Sequence, residues 1–441
     1  MLCHLMVHHL VLSQAYAQAP AGSILNNSSP EPLRIFNLKF KSLHSLNYPQ
    51  YRIFWIAAVF SCIGMWSLVF GRLWLMHLLN PEEYMLGLVT ACSLGPMLFL
   101  SMWGGVIADR WNRRRLLIIT RAIIALLVLI TAIGVSLGIM TPLLLLTISF
   151  FTGVLLAFDL PARAAMLPNL LPKSSLLNGM VLYSMAISGS AILGPSLFGI
   201  LASYLGISSI FYLIFLAYTI VVGLLIYMRP TANPNTKSGK SMGSDLKQGF
   251  RYLYGSKGIL YLIIMGILMG VFGMSFETLL PAFAKLVFMQ DVGFYSRLLL
   301  FLGVGGITSS ICLAKYANVK NSLHIMLITG TLFALSLILF GFNNLILLSY
   351  IIIAFIGALA FAFHTINSTL VQMLTLDNFR GRVMSIHQLT WSSTSIGGFL
   401  LGLLASYYAP QPALMVFGAF TFISVTFCYV MLKSKIKNSL N

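Results

Sequence analysis

Apolar residues along this chain come in long blocks, separated by short polar ones. Twelve blocks run over about 52–78, 85–107, 116–138, 141–161, 176–204, 209–228, 258–280, 293–314, 322–341, 344–367, 384–407 and 411–432. Each reaches roughly the 20 residues a helix needs to cross a bilayer, so the pattern predicts an all-α membrane protein of twelve transmembrane helices. An even number of crossings leaves both chain ends on one face. Every Lys and Arg except Arg72, Arg121, Lys285 and Arg297 falls in or beside the segments on that face. The positive-inside bias then predicts that both termini are cytosolic. The blocks also predict a domain order: a cytosolic tail over 1–50, a six-helix bundle over 51–228, a cytosolic linker over 229–257, a second six-helix bundle over 258–432 and a tail over 433–441.

Composition agrees. Apolar residues make up 59% of the 441 positions and charged residues 8%, against about 25% charged in a soluble domain. The net charge of +18 is scattered over short segments between apolar blocks, so no nucleic-acid partner is expected. Four of the cysteines at 3, 62, 92, 312 and 428 lie inside apolar blocks without metal-ligand spacing, and they read as small apolar fillers. There is no Walker loop and no cluster of His, Asp and Glu at one interface, so neither a cofactor, a metal nor an enzyme is expected. The first 20 residues end in small residues at Ala15 and Ala17 but lack a basic start, and they are expected to be a tail rather than a cleaved signal. Residues 33–46 read equally as an amphipathic surface segment or as a basic flank. In the linker, 229–244 is rich in Pro, Gly, Ser and Asn and reads as flexible, and a short amphipathic helix is predicted from Asp245.

Three patterns carry chemistry. Between the second and third blocks stands Gly105-x-x-x-Asp109-Arg110-x-x-Arg113-Arg114-Arg115, with Asn112 expected to take a left-handed turn. In the fifth block, Ser190-Ala-Ile-Leu-Gly194-Pro195-Ser-Leu-Phe198-Gly199 combines a proline bend with glycines that admit a close neighbour. The segment Gly199–Tyr204 recurs as Gly402–Tyr407, 203 residues on, and Gly194 recurs as Gly397. Such parallel repeats place a substrate at midplane between two halves that rock around it.

The Gly105–Arg115 loop resembles the signature between the second and third helices of the major facilitator superfamily. The Gly194–Pro195–Gly199 run is similar to the fifth-helix motif of its antiporters. The segments 157–179 and 376–402, with Tyr51–Trp55 and Leu279–Ala284, resemble the bacterial exporter branch that includes the enterobactin exporter and macrolide efflux proteins. The resemblance covers about 50–432. It implies a secondary transporter in the bacterial inner membrane, acting as a monomer on a small molecule: a siderophore exported against protons, with a macrolide or other amphiphilic drug as the alternative cargo. It also implies a gating role for the loop, with Asp109 locking one conformation.

Charges inside spans are costly and therefore candidates. Asp159 lies four residues before Arg163, a spacing that permits a local ion pair or, alternatively, proton handling. Glu277 is about 19 residues into its block, roughly 29 Å along a helix. It reads as a solvated rim residue or, with Pro281 following, as part of a broken helix facing a cavity. Arg72 and Arg121 either snorkel to the two interfaces or give the substrate cavity a positive field. His364 and His387 are expected to be packed polar residues.

Overall fold

In the computed structural model, residues 44–229, 242–316 and 322–436 are described, and every regular element among them is helical. The predicted tail over 1–43, the first part of the linker over 230–241 and the end of the chain over 437–441 lie outside the described residues. The first half contains α1 (Pro49–Leu79), α2 (Glu83–Arg110), α3 (Arg113–Ser136), α4 (Pro142–Met166), α5 (Lys173–Leu205) and α6 (Ile207–Tyr227). The amphipathic segment expected from Asp245 is α7 (Met242–Gly255). The second half contains α8 (Lys257–Val287), α9 (Val292–Tyr316), α10 (Ser322–Phe342), α11 (Ile346–Leu374), α12 (Asp377–His387), α13 (Thr394–Tyr408) and α14 (Pro410–Ile436). Among the described residues, ten of these stretches are long and apolar enough to cross a membrane. Lys173–Leu205 and the interrupted run over 377–408 complete the twelve.

The two halves pack by one plan. In the first, α2 lies on α4, α3 on α6 and α1 on α5; in the second, α9 lies on α11, α10 on α14 and α8 on α13. The halves meet through α2 against α13 and α5 against α9, which are equivalent pairings under the repeat. The offset of 203 extends to the backbone. Gly206 joins α5 to α6 at φ 82°, ψ 165°, and Ala409 joins α13 to α14 at φ 74°, ψ 160°. That region of backbone space suits glycine and strains alanine.

The regularity of the halves differs. α1 runs unbroken for 31 residues and α5 for 33. Their counterparts are interrupted. α8 passes through a π turn at Met269–Gly273, a tighter 3-10 stretch at Met274–Leu279 and a second π turn at Phe283–Val287. Glycines at 266, 270 and 273 weaken the helix there. Pro281 has no N–H for the carbonyl of Glu277, which accepts from the Leu280 N–H instead and so tightens the turn. The run predicted over 384–407 begins earlier, as α12, and resumes as α13 after the polar stretch Gln388–Ser393.

Candidate functional site

The buried charges of the first half form one cluster. Asp159 on α4 and Arg121 on α3 are 0% and 1% exposed. Asp159 Oδ1 accepts from Arg121 Nε at 2.8 Å and from the Thr120 hydroxyl at 3.2 Å. Its Oδ2 accepts from Arg163 Nε at 3.0 Å and from the Nη2 atoms of both arginines. Pro161 leaves α4 helical, so the expected pair of Asp159 with Arg163 four residues on is present. The sequence did not show the third member, and the snorkelling reading of Arg121 is overturned. An ion pair this deep is more favourable than a long reach to the interface, and the guanidinium also stacks over the Tyr218 ring of α6 at 5.2 Å. Arg163 Nη1 points at the Cys62 sulfur, 3.7 Å away on α1.

Arg72 does not snorkel either. It is buried, and its Nη2 donates to Thr152 of α4 at 2.8 Å, while its Nε has no partner among the described residues. Glu277 is not at a rim, because α8 continues to Val287 beyond it. It sits in the interrupted stretch, half-buried, and its carboxylate has no hydrogen bond or ion pair among the described residues. Its neighbour Thr278 reaches across to Thr90 of α2, hydroxyl to hydroxyl at 3.1 Å.

The Gly-Pro run divides two interfaces. A side-chain carbon at Gly194 would meet the Ile63 carbonyl at 2.9 Å and Trp66 Cβ at 3.0 Å, so this glycine packs α5 on α1 within its half. A carbon at Gly199 would collide with Ser296 of α9, so this one packs α5 on the other half. The repeat does the same. Gly397 abuts the backbone of Val271 in α8, and Gly402 abuts Glu83 and Gly87 in α2. Pro195 is buried in continuous α5. Phe198, within the same run, is buried between Gly71 and the Tyr295 ring.

The loop before α3 behaves differently from expectation in one respect. Asn112 has φ −64°, in extended rather than left-handed backbone, and its side chain caps α3 by accepting from the Arg115 N–H. Arg113 donates to the Ala165 carbonyl at 2.7 Å, and Arg114 to the Leu225 carbonyl at 2.7 Å. These are the last turns of α4 and α6, where cations are favoured. Arg115 is exposed. Gly105, Asp109 and Arg110 close α2, and their side chains lie outside those described.

Among the described residues, contacts between the halves gather at the face away from the chain termini. There the Tyr84 N–H donates to Ser406, Trp74 stacks on Tyr295 at 5.3 Å, and the glycine contacts close. At mid-depth the halves touch through Trp66 of α1 and Trp391, with ring centroids 5.7 Å apart. His364 of α11 faces Trp391 at 6.4 Å and His387 at 6.0 Å. His387 Nε2 is 3.0 Å from Asn367 Oδ1, and the Asn367 amide donates to the Leu262 carbonyl. His387 is therefore the packed polar residue expected, whereas His364 is exposed. The tryptophan pair was missed. Its one signal was Trp66 at the middle of a span, since membrane tryptophans favour the interfaces. A group at mid-depth with aromatic faces from both halves and imidazoles from the second can bind a small amphiphilic molecule by stacking and hydrogen bonding.

Residues 41–440 match the family described as transmembrane secretion effector. The staphyloferrin A transporter of Staphylococcus aureus is 25% identical over 382 residues, 85% of this chain and 94% of that protein. The enterobactin exporter EntS of Shigella boydii serotype 18 is 23% identical over 375 residues, 83% and 86% of the two chains. Among solved structures, the nucleoside transporter NupG superposes with a TM-score of 0.68 at 15% identity, over 87% of this chain and 99% of that one. A bacterial homologue of the human lysosomal transporter Spinster, inward-facing and unoccupied, gives 0.68 at 12% identity over 88% and 97%.

Proposed function

The chain belongs to the transmembrane secretion effector family of the major facilitator superfamily, and from that premise we propose that it exports a siderophore across the bacterial inner membrane by proton antiport. It is a transporter and not an enzyme. The observation that carries the cargo reading is that two relatives matched over more than four-fifths of this chain are named for siderophores, staphyloferrin A and enterobactin. Export is supported by the likeness to the enterobactin exporter, and the Lys and Arg distribution supports cytosolic termini. The crevice then opens to the cytosol, because the halves meet at the opposite face.

Residue roles follow from the geometry. Glu277 is the favoured proton carrier, since its carboxylate is unclaimed and lies in irregular backbone beside the contact between the halves. Asp159 is the second candidate, but it must release two arginines to take a proton. Arg72 is the basic group that favours anionic cargo, since its Nε is unclaimed, whereas Arg121 is committed to Asp159. Gly194, Pro195 and Gly199 hold α5 against both neighbours during rocking. The Gly105–Arg115 loop gates through Asp109, so Asp109→Asn inserts normally and loses most transport. Full transport by that variant at normal expression would remove the gating role.

A macrolide or similar drug is the second reading, favoured by Trp66 and Trp391 at mid-depth. Gene deletion separates the two. The siderophore reading expects less siderophore in the medium under iron starvation and unchanged macrolide sensitivity. Normal secretion with heightened macrolide sensitivity would transfer the proposal to the drug.

A further inference from the structure

The charge cluster of the first half is unbalanced. One carboxylate, Asp159, faces two guanidiniums, and every acceptor position on it is taken. Arg163 spends its donors on Asp159 and Cys62. Arg121 spends Nε and Nη2 on Asp159, which leaves Nη1 buried and without a partner. The Ser61 hydroxyl on α1 is likewise buried and without a partner. Both residues are more than nine-tenths buried.

Arg121 and Ser61 border the same small cleft. Arg163 also lines it, and the rest of its wall is apolar, including Phe54, Leu117 and Val221. The cleft has room for about one water-sized occupant. It lies among α1, α3, α4 and α6 of one half, apart from the Trp66 and Trp391 contact between halves. An isolated buried donor costs free energy, and an excess buried cation costs more unless it is neutralised. A single monovalent anion accepting from Arg121 Nη1 and the Ser61 hydroxyl satisfies both groups and cancels the excess charge. Water satisfies the donors and leaves the charge.

We propose that this cleft is a halide site, occupied by chloride, which holds α1, α3, α4 and α6 together as one rigid unit. The cleft is too small for a carboxylate siderophore, so the site is independent of the cargo.

The test uses the purified full-length protein in nanodiscs, with chloride replaced by gluconate at constant ionic strength. The melting temperature is expected to rise saturably with chloride and with bromide. Ser61→Ala should raise the chloride concentration at half-effect about tenfold, as expected for losing one hydrogen bond to a charged ligand. Ser61→Thr, which keeps the hydroxyl, should restore it. Bromide should give an anomalous peak beside Arg121. A melting temperature indifferent to halide, an unchanged half-effect in Ser61→Ala, or water alone at the position would overturn the proposal.

Discussion

The two halves share one packing plan and solve the problem of polar groups in a membrane in opposite ways. The first half keeps its helices regular and puts the polarity into ions: Arg121, Asp159 and Arg163 are buried and locked together. In the second half, the network between α8 and α12 is neutral, built on Asn367 and His387, and irregularity goes into the backbone of α8 and the α12–α13 run. A buried cluster of multiply bonded ions resists rearrangement, while unwound backbone next to a cavity tolerates it. The difference assigns a rigid half and a deformable half to the rocking motion. It also fits the place of Glu277, whose carboxylate has no hydrogen bond or ion pair among the described residues, in the deformable half.

The sharpest way to break this comparison is to remove the charge at the centre of each half. Asp159→Asn leaves two buried guanidiniums facing one another and should cost about 3–5 kcal/mol. The expected result is poor recovery of folded protein and a large fall in melting temperature. Glu277→Gln, by contrast, should melt like wild type. Equal destabilisation by the two variants, measured by thermal melting in nanodiscs, would end the distinction.

Smaller effects are expected where the halves are equivalent. Gly194→Leu and Gly397→Leu should each lose about 1–3 kcal/mol through overpacking, with most transport lost and the protein still folded. Wild-type flux in one and no flux in the other would show that the repeat in sequence is not a repeat in mechanism. The smallest effect is a gain. Ala409→Gly relieves a backbone held at φ 74° and should stabilise by about 1 kcal/mol or more. Gly206→Ala should do the reverse, and melting temperatures check both.

What the sequence revealed follows from range. Span number, the loop at Gly105–Arg115 and the repeat are local or periodic, so they stand in the string of residues. The break in α8 was half legible, through Pro281. The pairing of Arg121 with Asp159 was not, because the partners are 38 residues apart on different helices and nothing in the string says which faces meet. The same holds for Trp66 and Trp391. Asn112 was read as a turn residue because asparagine suits both a left-handed turn and a helix cap. The cap won because α3 starts at the next residue.

The most direct test of the central claim is flux in proteoliposomes holding the transporter inside-out, with an acidic lumen and a radiolabelled carboxylate siderophore outside. The account predicts accumulation in the lumen that collapses on adding an uncoupler and is absent in Glu277→Gln, which remains folded. No accumulation by wild type, or accumulation unchanged by the uncoupler and by Glu277→Gln, would contradict it.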